Sequence, residues 1–232
     1  MIETPPFIIR QEIETLIGTK INSTDLYQRA FTHKSALKRY NLEHSFELLE
    51  FIGDSVLNFV ITRYLFDKFS DRDEGFLTKL RTRLVRGKTL SDVGRRLELY
   101  RYVIMDEKGD RNGWANNDNI LEDVFESLVG AIYNDIGLPH AKLFILRIFE
   151  DPKYIDMEKL MNVDDNYKDR LMRYCQSNSY ELPFYNVIEK NGNCFVIIVM
   201  INGYQYGMGT ASTKKNAEQL AAFNTLKILG LL

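Results

Sequence analysis

The sequence predicts two units: an all-α unit over residues 1–150 and a compact α+β unit over 165–232 in the order α-β-β-β-α, joined by a linker at 151–164. Three observations predict this. Apolar positions recur at helical spacing through residues 7–150. After residue 165 two Asn-Gly pairs, Asn191-Gly192 and Asn202-Gly203, separate β-rich runs, and Asn-Gly is the strongest short hairpin signal. Between these regions, 151–164 (DPKYIDMEKLMNVD) loses strong periodicity.

Taken in order, Leu49, Val56, Leu57, Val60, Ile61 and Leu65 form one apolar stripe, which predicts a long buried helix reaching about residue 69. Segments near 76–86, 88–98, 119–135 and 138–149 read as helices separated by Gly, Asn and Asp clusters. Asp106–Asn119 is polar, rich in Gly and Asn, and reads as a loop. In the second unit, Tyr167–Gln176 reads as a helix, 184–189, 194–201 and 204–210 as strands, and 213–229 as a final helix burying Ala217, Leu220, Ala221 and Leu226.

Hydrophobic content of 45% and charged content of 27% place the chain of 232 residues among ordinary globular proteins. Only Cys175 and Cys194 occur, without CxxC or Cys/His clustering, which argues against a disulfide scaffold and a structural zinc site. The longest apolar run, Cys194–Ile201, is too short to span a bilayer. The N-terminus lacks the features of a secretory signal, so a cytoplasmic protein without a membrane partner is expected. The formal net charge of −2 is uninformative, but its distribution is not. Lys79, Arg81, Arg83, Arg86, Lys88, Arg95, Arg96 and Arg101 form a basic island facing only Asp92 and Glu98. It reads either as a solvated helix face or as a phosphate-binding rim.

Chemistry concentrates in Phe46–Leu57. Glu47, Glu50 and Asp54, spaced by three and four residues inside an apolar segment, share one helical face. A second pair, Asp123 and Glu126, lies one turn apart in the apolar segment 120–135, where Gly130 allows another helix to approach closely. Two such helices facing each other would group Glu50, Asp54, Asp123 and Glu126 as four oxygen donors. Isolated carboxylates more often mark a solvent face. Oxygen-only ligation would favour Mg²⁺, with Mn²⁺ as substitute, over zinc.

Residues 47–57 (ELLEFIGDSVL) resemble the signature of the ribonuclease III family, usually ERLEFLGDAVL. The resemblance extends to Thr32-His33-Lys34-Ser35, to Asp73-Glu74-Gly75 with the following LTKLRTRLVRGKTL, and to EDVFESLVGAIYND, covering about residues 25–145 in family order. It implies an all-α nuclease domain in which Glu50, Asp54, Asp123 and Glu126 bind catalytic metal, with Glu47 and Glu74 supporting. The implied reaction is hydrolysis of phosphodiester bonds in double-stranded RNA, leaving 5′-phosphate and 3′-hydroxyl ends with short 3′ overhangs. The resemblance also implies a homodimer in which Phe51 inserts into the partner subunit. From the residues alone Phe51 reads as core. His33, His44 and His140 are scattered, and His33 reads as structural. Leu48 stands where the family usually has Arg, and the loop before Ile120 lacks its usual Lys-Ser-Gly-Gly pattern.

Residues 166–232 resemble a double-stranded RNA-binding domain, most clearly at Asn166–Leu171 and Ser212–Glu218. Ser212 or Thr213 suits the N-cap of the final helix. Lys214 and Lys215 then occupy a first turn where the macrodipole disfavours cations by about 0.3–1 kcal/mol each, which points to an anion there. By the resemblance Gln176 and Arg173 remain available as further polar contacts to RNA, and Ser212 is expected in the same set. Lys190-Asn191-Gly192-Asn193 replaces the common Gly-Pro-x-His loop, and Met172-Arg173 a frequent Gln-Glu pair, so weaker RNA binding is expected. A non-catalytic RNA-binding protein on the same scaffold is the rival reading; the clustered carboxylates argue for the enzyme.

Overall fold

The computed structural model describes residues 5–6, 8–162, 166–192 and 194–232. The expected domain junction at 164/165 and Asn193 of the first hairpin lie outside the described residues. The chain divides into an N-terminal unit ending at Met161 and a C-terminal unit beginning at Asn162. Helical packing thus continues past the boundary expected at residue 150.

Helices α1 (Arg10–Ile17), α2 (Thr24–Ala30) and α3 (Ala36–Tyr40) precede the long α4 (Glu47–Lys68). After α5 (Glu74–Leu84) and α6 (Gly87–Arg96), a short α7 (Glu107–Arg111) leads to α8 (Asp118–Ile136), α9 (Leu138–Phe149) and α10 (Met157–Asn162). Caps set several starts: Asp73 Oδ1 accepts from Phe76 N at 2.7 Å and Asn117 Oδ1 from Asn119 N at 2.9 Å. Gly137 closes α8, and Pro139 fits the first turn of α9.

Two expectations fail here. The segment 106–119 is not all loop, because Asp106 caps α7 by accepting from Gly109 N at 2.8 Å and a 3₁₀ turn forms at Trp114–Asn116. The linker contains α10, started by Asp156 accepting from Lys159 N at 2.9 Å, and Met157, Leu160 and Met161 pack on the core. Both helices are too short for periodicity to show, and each depends on one capping carboxylate.

The core is built around α4 and α8. α4 buries Leu49, Val56, Leu57, Val60, Ile61 and Leu65 on one side, whereas α8 is buried almost all round from Leu121 to Ile132. α8 is therefore the central post of the unit. Asp135 near its end accepts from Asn22 N, Ser23 N and Tyr27 Oη at 2.8, 2.9 and 3.2 Å, fixing α2 against it.

The C-terminal unit runs α11 (Tyr167–Ser177), β1 (Phe184–Asn191), β2 (Cys194–Ile201), β3 (Tyr204–Ala211) and α12 (Lys214–Ile228). The sheet is antiparallel in the order β1-β2-β3, with Ile201 paired to Tyr204 across Asn202-Gly203. Both turn residues have positive φ, 50° and 80°, as the tight hairpin requires. Ile197, Val199 and Ile201 point from β2 into a core with Leu171, Ala217, Ala221 and Leu226. Leu220, expected in that core, is 39% exposed on the flank of α12.

Candidate active site and nucleic-acid interface

The acidic site is made by the crossing of α4 and α8. A Cβ at Gly53 would stand 1.8 Å from the Glu126 carbonyl oxygen, and one at Gly130 would stand 2.0 Å from that of Leu49. The two helix backbones touch, so the carboxylates one position or one turn away are carried to a common edge. Gly130 was the legible half of this contact; Gly53, inside the acidic stretch itself, is the other.

Glu126 lies deepest, 8% exposed and without a hydrogen-bond or ion-pair partner among the described residues. Burial, then the charges of Asp54, Glu122, Glu50 and Asp123, push its carboxyl up to about 8. Glu50 is raised to about 7 by burial and by Asp123, Glu47 and Glu122. Burial also raises Asp123. Lys34 partly offsets the cluster, lowering both Glu50 and Asp123. Its Nζ stands 3.2 Å from Glu47 Oε1, while Ser45 Oγ donates to Glu47 Oε2 at 3.1 Å. Those two bonds hold the Glu47 carboxyl below its ordinary value.

Glu50, Asp54, Asp123 and Glu126 are thus brought within each other's fields, and Glu47 stands at the rim. The expected four-donor cage is nevertheless not closed. Among the described residues no three acidic, His or Cys side chains stand close enough to hold a metal ion. Desolvated like charges keep apart, and Asp54 turns along its own helix to accept from Asn58 Nδ2 at 2.6 Å. The donor chemistry still fits a hard divalent cation, because a buried unpartnered carboxylate ringed by others lacks only positive charge. Glu122, a fifth member of the group, was not singled out by spacing.

Glu74 lies elsewhere. At the start of α5 it accepts from Thr78 Oγ1 at 2.9 Å and lines a cleft with Thr62, Phe66 and Arg81, two turns along α4 from Asp54. Phe51 is 73% exposed, so its core reading is overturned. Leu48, Phe59 and Phe66 are also exposed, and together they make one open apolar side of α4. His33 is half-buried, its Nδ1 at 2.9 Å from Ser35 Oγ, and burial lowers its pKa, in keeping with a structural role.

Much of the basic island is used internally. Arg95 pairs with Asp118 at 2.7 Å and Lys88 with Asp92 at 2.9 Å, while Arg96 donates to the carbonyls of Lys153 and Tyr154 at 2.8 and 2.7 Å. Asp118 and the two carbonyls are distant in sequence, which hid these partners.

In the C-terminal unit Thr213, rather than Ser212, caps α12, accepting from Asn216 N at 3.2 Å. Lys214 and Lys215 follow in the first turn, and Ser212 and Gln176 are exposed. Lys214 stands 3.9 Å from Glu218, which Lys168 already holds at 2.5 Å. Lys215 is therefore the less encumbered cation. Arg173 forms an ion pair with Asp169 on its own helix.

Comparison with known proteins agrees with this division. Residues 23–151 match the ribonuclease-III-like family model and residues 167–229 the double-stranded RNA binding motif. A protein of Paramecium bursaria Chlorella virus 1 is 44% identical, the match covering 96% of this chain and 80% of that protein. Ribonuclease 3 of Chlorobaculum tepidum is 39% identical, covering 88% and 77%. The nuclease domain of ribonuclease III from Campylobacter jejuni, described as flexible in a region involved in dimer formation, superposes with a TM-score of 0.57 at 34% identity, covering 61% of this chain and 96% of that one. No helix among the described residues is long and apolar enough to cross a membrane. The chain belongs to the ribonuclease III family, a ribonuclease III-type nuclease domain followed by a double-stranded RNA-binding motif.

Proposed function

We propose that the protein is a cytoplasmic, homodimeric, divalent-metal-dependent endoribonuclease that hydrolyses double-stranded RNA, leaving 5′-phosphate and 3′-hydroxyl ends with short 3′ overhangs. The observation that carries this is Glu126: a carboxylate 8% exposed, unpartnered and surrounded by Glu50, Asp54 and Asp123 has no role in a merely structural helix pair. Glu50, Asp54, Asp123 and Glu126 hold the metal, with Glu47 and Glu74 supporting. Mg²⁺, with Mn²⁺ as substitute, would supply at those residues the activation of water and the neutralisation of charge on the leaving oxygen. The chain's own residues fix that chemistry in place. Glu47 and Lys34 brace the start of α4, and the α4–α8 crossing sets the spacing of the carboxylates. The exposed apolar side of α4, Leu48, Phe51, Phe59 and Phe66, supports pairing with a second copy, with Phe51 inserted into the partner.

The direct experiment incubates the full chain with long duplex RNA, single-stranded RNA and duplex DNA in Mg²⁺. Cleavage confined to duplex RNA, with products ligatable through their 5′-phosphates, is the expected result. Intact duplex RNA in both Mg²⁺ and Mn²⁺ would remove the proposal.

Lys214 and Lys215, with the amides at the start of α12, clamp phosphate, and Ser212 and Gln176 add polar contacts. Lys214→Ala with Lys215→Ala should weaken duplex binding and reduce the salt slope by up to about two. Because Glu218 already engages Lys214, Lys215→Ala alone should have the larger single effect. Binding titrations at several salt concentrations test this, and an unchanged slope in the double variant would eliminate the clamp.

A further inference from the structure

Strand β2, Cys194–Ile201, is apolar at all eight positions (CFVIIVMI). A strand with one wet face alternates apolar with polar residues, whereas a continuous apolar run belongs to a strand covered on both faces. Among the described residues of the C-terminal unit, α11 and α12 cover one face of the sheet. Ile197, Val199 and Ile201 point into the core beneath them, so Val196, Ile198 and Met200 point to the other side. Cross-strand partners extend that side: Phe184 pairs with Met200, and Met208 with Ile198. Gly207 and Gly209 abut the backbone of α12, so Met208 between them faces away from the helices. Phe184 is 65% and Met208 52% exposed.

Asn186, Gln205 and Thr210 flank this apolar centre, and among the described residues paired on the face Glu189, beside the first hairpin, is the one charge. A face without cations is not built for phosphate, and Lys214 and Lys215 belong to α12, which packs on the opposite face. Placed against itself across a two-fold axis, the face brings no cluster of like charges together. Its size narrows the occupant further. Three eight-residue strands span about 26 by 14 Å, or roughly 400 Å² a side, about half of what a stable interface buries. A contact that small holds only molecules already brought side by side, and a long RNA duplex does this for successive copies of the chain.

We propose that this face, centred on Phe184, Ile198, Met200 and Met208, pairs with the same face of a second copy bound next to it on duplex RNA, so that the protein loads cooperatively on long duplexes. The inference rests on the duplex-RNA reading above and adds a protein–protein surface to it. Sheet-to-sheet pairing leaves the helices outermost, and the clamp at the start of each α12 stays open to RNA.

The full-length chain is titrated, in chelator to prevent cleavage, onto a duplex of about 16 base pairs, which accommodates one motif, and onto one several times longer. The parent should bind the long duplex with a Hill coefficient well above one and the short duplex with a coefficient of one. Phe184→Glu with Met208→Glu sets like charges across the contact and should return the long-duplex coefficient to one, with short-duplex affinity unchanged. In a Cys194→Ser background, Met208→Cys should react with a maleimide severalfold more slowly on the long duplex than on the short one, Cys175 being buried.

A coefficient of one for the parent on the long duplex overturns the proposal, as does a cooperative isotherm that persists in the double variant. Equal maleimide reactivity on both duplexes overturns it too, whether or not the charged variant folds. Loss of short-duplex binding in a double variant that melts with the parent would make the face an RNA contact, which also overturns it. If the parent binds neither duplex, the duplex-RNA reading itself is wrong; if it binds both without cooperativity, only the sheet pairing is wrong.

Discussion

Glu126→Gln is expected to abolish duplex-RNA cleavage, by about a thousandfold or more, while leaving RNA binding intact and the metal-free protein more stable at alkaline pH. The loss follows from removing a buried oxygen donor at the reacting centre, where a single electrostatic contact is worth about 10²–10³ and a metal ligand at least that. The gain follows from the carboxyl's environment. In the folded chain it is raised from 4.5 to about 8, chiefly by burial. Between those values the folded state holds a proton that the unfolded state has released. Stability is therefore lost as pH rises through that window and levels off above it.

Glutamine does not titrate, so the variant escapes its share of the loss, at most about 4 kcal/mol at pH 8 for a rise from 4.5 to about 8 at 1.36 kcal/mol per pKa unit. Thermal melts in chelator at pH 5, 6.5 and 8, beside gel assays of binding and cleavage, read all three effects. Cleavage at the parental rate refutes the catalytic assignment. Parallel melting curves at every pH refute the buried-charge account, since the site then gains nothing from losing its carboxylate.

The sequence made the acidic site legible because helical spacing of three and four residues is a local property. Glu50 with Asp54, and Asp123 with Glu126, stand one turn apart before the fold is known, although their spacing alone left a solvent face open and the family resemblance singled them out. What remained hidden depends on residues far apart in the chain. The Glu122 carboxylate packs against Gly87, 35 positions earlier, and the basic island loses much of its meaning to Asp118 and to the carbonyls of Lys153 and Tyr154. Phe51 looked like core because an aromatic within an apolar helix usually is; only the packing of α8 on the opposite side of α4 shows that it faces outward. The order of the C-terminal unit was plain from its Asn-Gly turns, yet the choice of Thr213 over Ser212 as cap turned on one hydrogen bond.

Gly53→Ala is the second substitution with a large expected effect, and it strikes the fold and the site together. The added methyl would meet the carbonyl oxygen of Glu126 at 1.8 Å, its carbonyl carbon at 2.7 Å and Gly130 N at 2.9 Å. All three are backbone atoms of α8, so no side chain can rotate away. Restoring ordinary contact requires α4 and α8 to part by about 1.5 Å along the most densely packed seam of the unit, where overpacking costs about 1–3 kcal/mol and rigid backbone places this site at the upper end. A loss near 3 kcal/mol corresponds to a fall of roughly 6–12 °C in melting temperature for a unit of this size.

The same displacement moves Glu50 and Asp54 away from Asp123 and Glu126. A 1 Å misplacement at a reacting centre can lower the rate by about a hundredfold, so the surviving folded protein should also be impaired. Ser55→Ala, on the exposed side of the same helix, controls for the substitution itself and should be near neutral. The pattern is diagnostic: Glu126→Gln removes activity without destabilising, whereas Gly53→Ala lowers both. A Gly53→Ala protein that melts with the parent would mean that the two backbones do not touch, and the crossing would then no longer explain how the carboxylates are brought together.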